Sequence, residues 1–346
     1  MGQTVSADHL LQTRGRTRDF DAFVVAAAFD RAGGACAFAL GDGTMAIAPV
    51  AEDAWNRVTA HEGAILALAT DAAPQGWISG GDDGRFYRTS AAGTVALIAP
   101  FGMRWVEHVA SFTDGAKVRL VACSAGKRVV VYNAGDNEVK VGEHPSTVTG
   151  LVLDHKGKRF AASHYGGASV WFLASRSSPR KLEWKGSHTG IAISPDGDCV
   201  VTSMQENALH GWRLSDEQHM RMTGYPAKSE SLSFTRNGRW LATSGADSVV
   251  LWPFFGGGPM GKPPVELAGG DSITCTRVIA HPQNELVAAG FADGLVMVAD
   301  IASARVLPVA GGGHGPISAL CWSPDGARLA FGTETGFAAI VDLSKQ

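Results

Sequence analysis

The stretch ALCWSPDGARLAFGTETGFAAIVD, residues 319–342, holds three short apolar runs separated by two tight turns, SPDG at 323–326 and a second at Gly336. Asp, Asn, Pro and Gly preset or tolerate the backbone angles of a tight turn. Apolar runs of this length, bounded by such residues, read as strands, so the stretch is two successive β-hairpins. A second SPDG stands at 194–197 in the same setting, between GIAI and DCVVTS. Related turns occupy 30–34, 71–76, 113–116, 154–157, 235–238 and 281–284. No segment carries the long 3.6-residue period of an amphipathic helix.

The second turn also recurs. Its key residue is Gly43, Gly84, Lys127, Gly166, Asn207, Asp247, Gly294 and Gly336 in turn. All but Lys127 are types that accept a positive φ, as a two-residue hairpin turn requires. Five positions further on stand Ala48, Thr89, Tyr132, Trp171, Trp212, Trp252, Ala299 and Val341. A fixed offset kept through eight units is stronger evidence than any one tetrapeptide.

This pattern resembles the WD40-repeat family, whose unit of about 40–45 residues has a Gly-His near its start and a Trp-Asp at its end. Gly313-His314 is the full Gly-His; His61 and His144 keep the His alone. Trp171, Trp212 and Trp252 match the terminal Trp, and Asp300 and Asp342 match the final Asp. The resemblance implies that the His, a strand Ser or Thr, the turn Asp and the Trp form a hydrogen-bonded set. The second unit supplies His61, Ser79 and Asp83, but Thr89 replaces the Trp. The repeats are therefore degenerate, and apolar packing is expected to carry more of the stability than polar ties.

The implied fold is all-β, a single WD40-like β-propeller spanning residues 1–346. Residues 21–343 form eight units, and residues 1–20 supply an N-terminal arm and a strand that closes the ring. Eight blades are expected. Seven is the alternative count, if residues 24–49 form a cap. The SPDG-type turns lie on one face and the Gly-type turns on the other, narrower face, where propellers of this kind bind partners.

Composition restricts function. The chain has 346 residues, 45% hydrophobic and 18% charged, with 30 Lys+Arg against 33 Asp+Glu and a net charge of −3. A protein that grips nucleic acid by its phosphates shows a basic excess, so nucleic acid is not the expected partner. Cys36, Cys123, Cys199, Cys275 and Cys321 are dispersed in apolar runs with no CxxC pair, which reads as buried reduced thiols in a cytoplasmic protein. The start has no secretory signal, and no apolar stretch approaches the roughly 18 residues of a membrane helix. Gly2 and Ser6 fit the short myristoylation pattern, read here as chance.

Several motifs fall short of chemistry. Gly256, Gly261 and Lys262 fit GxxxxGK, but Pro263 stands where the Mg²⁺-binding Ser or Thr belongs, so 255–264 reads as a long loop. Arg176, Arg180, Lys181 and Lys185 form a basic segment, and RGRTR at 14–18 another; both read as solvated loops. His61, His144, His188, His210 and His314 come from different units, with no close metal-ligand spacing. No cofactor, metal or catalytic residue is expected. The expected function is a non-enzymatic scaffold that binds one or more proteins. The alternative is a propeller enzyme or small-ligand binder with a central-channel site, possibly metal-dependent. Interface anchors favour Trp, Tyr and Arg. The candidate contacts on the Gly-turn face are Arg104, Trp105, His164, Tyr165, Gln205, Glu206, Tyr225 and Phe291.

Overall fold

The computed structural model describes residues 8–115 and 117–344; Gly2 and Ser6 lie outside them. The SPDG turns are built as their residues require. Gly197 and Gly326 adopt φ of 79° and 70°, and each donates its N–H to the carbonyl of the turn's serine at 2.8 Å. The hydroxyls of Ser194 and Ser323 accept the N–H of Cys199 and Arg328 at 2.9 Å. Each turn thus ties its own ends before any tertiary contact is made.

The strands assemble into a β-propeller, but not into eight separate blades. Hydrogen bonding groups them into six four-stranded sheets and one six-stranded sheet, seven in all. The six-stranded sheet combines the fourth and fifth repeat units through two 14-residue strands, Arg159–Phe172 and Arg180–Ile193. Arg159–Phe172 is bent at Gly166 and Gly167, with φ of 87° and 138°. Its first half pairs with Gly150–Leu153 and its second with Arg180–Glu183. Arg180–Ile193 then continues without a break, pairing from His188 onward with Cys199–Met204. Elsewhere the connector between units interrupts the strand; here no residue in EWKGSH stops it. The basic segment, expected as a loop, is therefore a strand from Arg180 onward.

Middle strands such as Ala35–Leu40, Cys199–Met204 and Ser248–Pro253 are buried throughout. They are covered on both faces, so they read as continuous apolar and small-residue runs rather than alternation. The core is a ring of clusters between consecutive units. Val298 packs with Leu329, Phe38 with Ile340, and Ile47 with Trp77. Inner-strand hydroxyls stitch neighbours together. Thr70 donates to Phe29 O at 2.7 Å, Ser111 to Thr70 O at 2.6 Å, and Thr276 to Ile317 O at 2.6 Å. Ser318 donates to Val24 O at 2.6 Å and joins the last unit to the first.

A short helix, His9–Arg14, precedes the strand Gly15–Asp19. That strand pairs antiparallel with Phe337–Asp342, from Gly15↔Val341 to Asp19↔Phe337, so RGRTR is part of the closing strand rather than a loop. Arg16 reaches the first unit and donates to Pro49 O at 2.8 Å. Gly336, at φ 99°, lets the Phe20 carbonyl approach so closely that a Cβ would lie 1.9 Å from it.

Candidate functional site

The polar positions of the repeat are occupied by internal ties. His61 Nδ1 donates to Asp83 Oδ1 at 3.0 Å, and Ser79 Oγ–H donates to His61 Nε2 at 2.9 Å. This is the geometry of a Ser-His-Asp triad, but Ser79 is sealed in the middle strand of its blade. Burial lowers the His61 pKa, with Asp83 pulling the other way. The imidazole is neutral at neutral pH and holds the blade together. Thr89, in the Trp position, has a buried hydroxyl without a partner among the described residues.

The other units solve the same problem with different residues. His144 donates Nδ1–H to Lys127 O at 3.1 Å, and its Nε2 accepts the indole N–H of Trp171 at 3.2 Å. His188 bonds Thr202 at 2.7 Å, while the buried Trp212 N–H has no partner among the described residues. In the sixth unit Tyr225 stands in for the His: Trp252 Nε1 donates to its hydroxyl at 2.6 Å, and that hydroxyl bonds Thr243 at 2.6 Å. In the eighth, His314 stacks on Phe337 at 4.0 Å. His210 bonds His219 at 2.9 Å. The histidines weighed for a channel site are thus placed in blades, not in the channel. Asp300 and Asp342 cap loops through the N–H of Ser303 and Ser344. Lys262, the residue of the phosphate-loop likeness, donates to the carbonyls of Phe255, Gly256 and Gly258; it closes a loop.

The candidate contacts divide by burial. Trp105 is 56% exposed and Tyr165 67%; Arg104, Gln205 and Glu206 are also exposed. Connectors run beside the Gly-type turns, as the bond from Phe101 N–H to Gly84 O at 2.7 Å shows, so these residues share one rim. Arg104 passes over Gly126, Tyr165 N–H bonds Ser146 Oγ at 2.9 Å, and Glu206 lies against Gly186. The remaining three are internal. Tyr225 belongs to the Trp252 network, Phe291 is 1% exposed in the core between the sixth and seventh units, and His164 is buried. A buried side chain with its hydrogen bonds made inside the fold offers a partner nothing, so these three leave the contact surface.

Sequence reading missed two features. Met103, beside Arg104 and Trp105, is 98% exposed. A hollow of about 640 Å³ opens beside the outer strand of the fourth unit, lined by Glu143, His164, Tyr165, Lys181, Trp184 and Lys185 among others. In it His164 Nδ1 donates to Tyr165 O and Nε2 accepts Ser169 Oγ–H, both at 2.9 Å. Trp184 stacks on His210 at 3.9 Å. Met103 was readable as an interface-type residue beside Arg-Trp; the hollow required knowing which strands become neighbours.

Known proteins agree with this architecture. Residues 279–346 match the family model described as the anaphase-promoting complex subunit 4 WD40 domain. Autophagy-related protein 16 of Arabidopsis thaliana is 23% identical over 295 residues, 82% of this chain and 56% of that protein. Serine-threonine kinase receptor-associated protein of Dictyostelium discoideum is 29% identical over 106 residues, 31% of this chain and 34% of that protein. The chain therefore spans about half, or less, of these relatives. A computationally designed protein, Ika8, superposes with a TM-score of 0.73 at 17% identity, covering 94% of this chain and 98% of its own. Repeat spacing, sheet architecture and these likenesses together support a WD40-repeat β-propeller.

Proposed function

We propose that this protein is a non-enzymatic, cytoplasmic interaction platform that binds one or more proteins through the rim formed by Met103, Arg104, Trp105, Tyr165, Gln205 and Glu206. The observation that carries the reading is the connector Met103–Trp105, which holds a Met, an Arg and a Trp in solvent. Exposed Trp, Met and Arg in one tripeptide is the composition of an interface core, where a few such anchors dominate binding. Burial elsewhere supports a structural role for the reactive side chains. The five cysteines are buried and unpaired, and burial pushes Cys199 and Cys275 up to about 12. The net charge of −3 favours proteins over nucleic acid. Among the described residues no helix is long and apolar enough to cross a membrane.

The test is affinity capture from an extract of the source cells, comparing wild type with Met103→Ala/Trp105→Ala. At about 1–2 kcal/mol per anchor, a true partner drops at least ~10-fold in the double variant. An identical set of captured proteins at identical yield would remove the rim from the reading.

A further inference from the structure

The outer strand of the fourth unit is a sheet edge flanked by two hollows. Arg180–Glu183 pairs on one side only, with Gly167–Val170. The hollow of about 640 Å³ runs along Lys181–Lys185. A second, of about 220 Å³, touches Arg180–Glu183 from the side of Trp212 and His219. The first hollow also reaches Glu143 of the third unit and the second reaches Trp212 and His219 of the fifth, so the two open on either side of the strand beside its free edge. From Pro179 to Lys185 this edge extends for about 20 Å at ~3.3 Å per residue. An unpaired edge of this length can accept another strand.

The charge around the edge is selective. Segment 174–186 carries Arg176, Arg180, Lys181 and Lys185 against a single Glu183, in a chain whose net charge is −3. Arg180 is committed to Glu217 at 3.3 Å. Lys181 and Lys185 are exposed, and neither has a carboxylate partner among the described residues. Glu143 on the far wall lies 3.9 Å from Arg128, which offsets its charge. Lys residues on an edge also discourage self-pairing: a second copy of this chain would bring Lys against Lys. What the edge disfavours in its own copy it favours in an acidic strand.

Resting on the reading of this protein as a protein-binding platform, we infer that the edge Pro179–Lys185 takes an extended acidic peptide segment of a partner by strand addition. The partner's backbone pairs with the free edge. Its carboxylates meet Lys181 and Lys185, and an apolar side chain enters the hollow between Tyr165 and Trp184.

The test uses the intact protein and a fluorescein-labelled octapeptide of alternating Glu with Phe or Leu, read by anisotropy. The same peptide with Lys for Glu is the control. The acidic peptide binds and the basic one does not. Lys181→Glu/Lys185→Glu weakens binding at least ~10-fold, and Glu183→Lys strengthens it several-fold. Methylating alternate backbone amides of the peptide abolishes binding. Raising the salt from about 50 to 500 mM weakens it several-fold, as ion pairs at a surface require. Circular dichroism of the charge variants, whose changed residues are exposed, reports whether the fold is kept. Equal binding of both peptides, binding indifferent to the double charge reversal, or tighter binding of a single-stranded oligonucleotide would overturn the inference. Loss of captured partner in Met103→Ala/Trp105→Ala without acidic-peptide binding would retain the rim and reject the edge. Peptide binding with rim-insensitive capture would do the reverse.

Discussion

Trp212 and Trp252 occupy the same repeat position in consecutive units, are both buried, and differ in hydrogen bonding. Thr243 Oγ donates to Val250 O at 3.0 Å, so it must accept from Tyr225. The Tyr225 oxygen is then free to accept Trp252 Nε1–H at 2.6 Å. The result is a directed relay from indole to phenol to threonine to backbone. Trp212 Nε1 is buried without a partner among the described residues. Replacing either Trp by Phe removes a similar apolar area, so the packing loss cancels in the difference. Trp252→Phe leaves the Tyr225 oxygen unsatisfied, at about 1–3 kcal/mol. Trp212→Phe removes a donor that was already desolvated and unpaired. Trp252→Phe should therefore cost about 2–3 kcal/mol more than Trp212→Phe. Urea unfolding followed by circular dichroism, with a common slope, reads the difference from the midpoints. Tyr225→Phe and Trp252→Phe together should be sub-additive by about 1–2 kcal/mol. If Trp212→Phe destabilises as much as Trp252→Phe, or the pair is additive, the relay does not hold the sixth unit.

His144 supplies a pH test. Burial, with His164 nearby adding to it, pushes its imidazole down to about 4 against the pull of the Lys127 carbonyl. A folded value below the unfolded ~6.5 means stability is held above that pH and lost as pH falls from ~6.5 towards 4. At pH 5 the loss is about 2 kcal/mol; His144→Gln should show a correspondingly smaller drop in urea midpoint between pH 7 and 5. The Ser79-His61-Asp83 set is structural. A fluorophosphonate should leave Ser79 unmodified in the folded protein, while Ser79→Ala lowers stability by about 1–2 kcal/mol; labelling of Ser79 by mass spectrometry would assign it a catalytic role instead.

The repeat and the propeller were written in local chemistry. Turn residues, their spacing and apolar runs act within one hairpin, and a hairpin's residues are adjacent in the chain. The N-terminal stretch was read as the closing strand, and Gly15–Asp19 pairs with Phe337–Asp342 in the sheet of the eighth unit. What local chemistry could not settle was continuity between units. Arg180–Ile193 carries Gly186 and Gly190 as possible breaks, and whether a strand runs through such points depends on the neighbours that pair with it. That one continuity turns eight units into seven sheets. Burial separated the candidate contacts in the same way. Tyr225 and Trp105 are both aromatic residues in connectors, and nothing adjacent to them distinguishes them. Tyr225 finds Trp252 and Thr243, distant in sequence, and is drawn into the blade. Trp105 finds no such partners and stays in solvent. The repeat, the turns and the propeller architecture were legible from residues near one another in the chain, because those features depend on near neighbours. The sheet count, the exposed rim and the open edge at Pro179–Lys185 emerged with the assembled fold, because each depends on which residues distant in the chain meet.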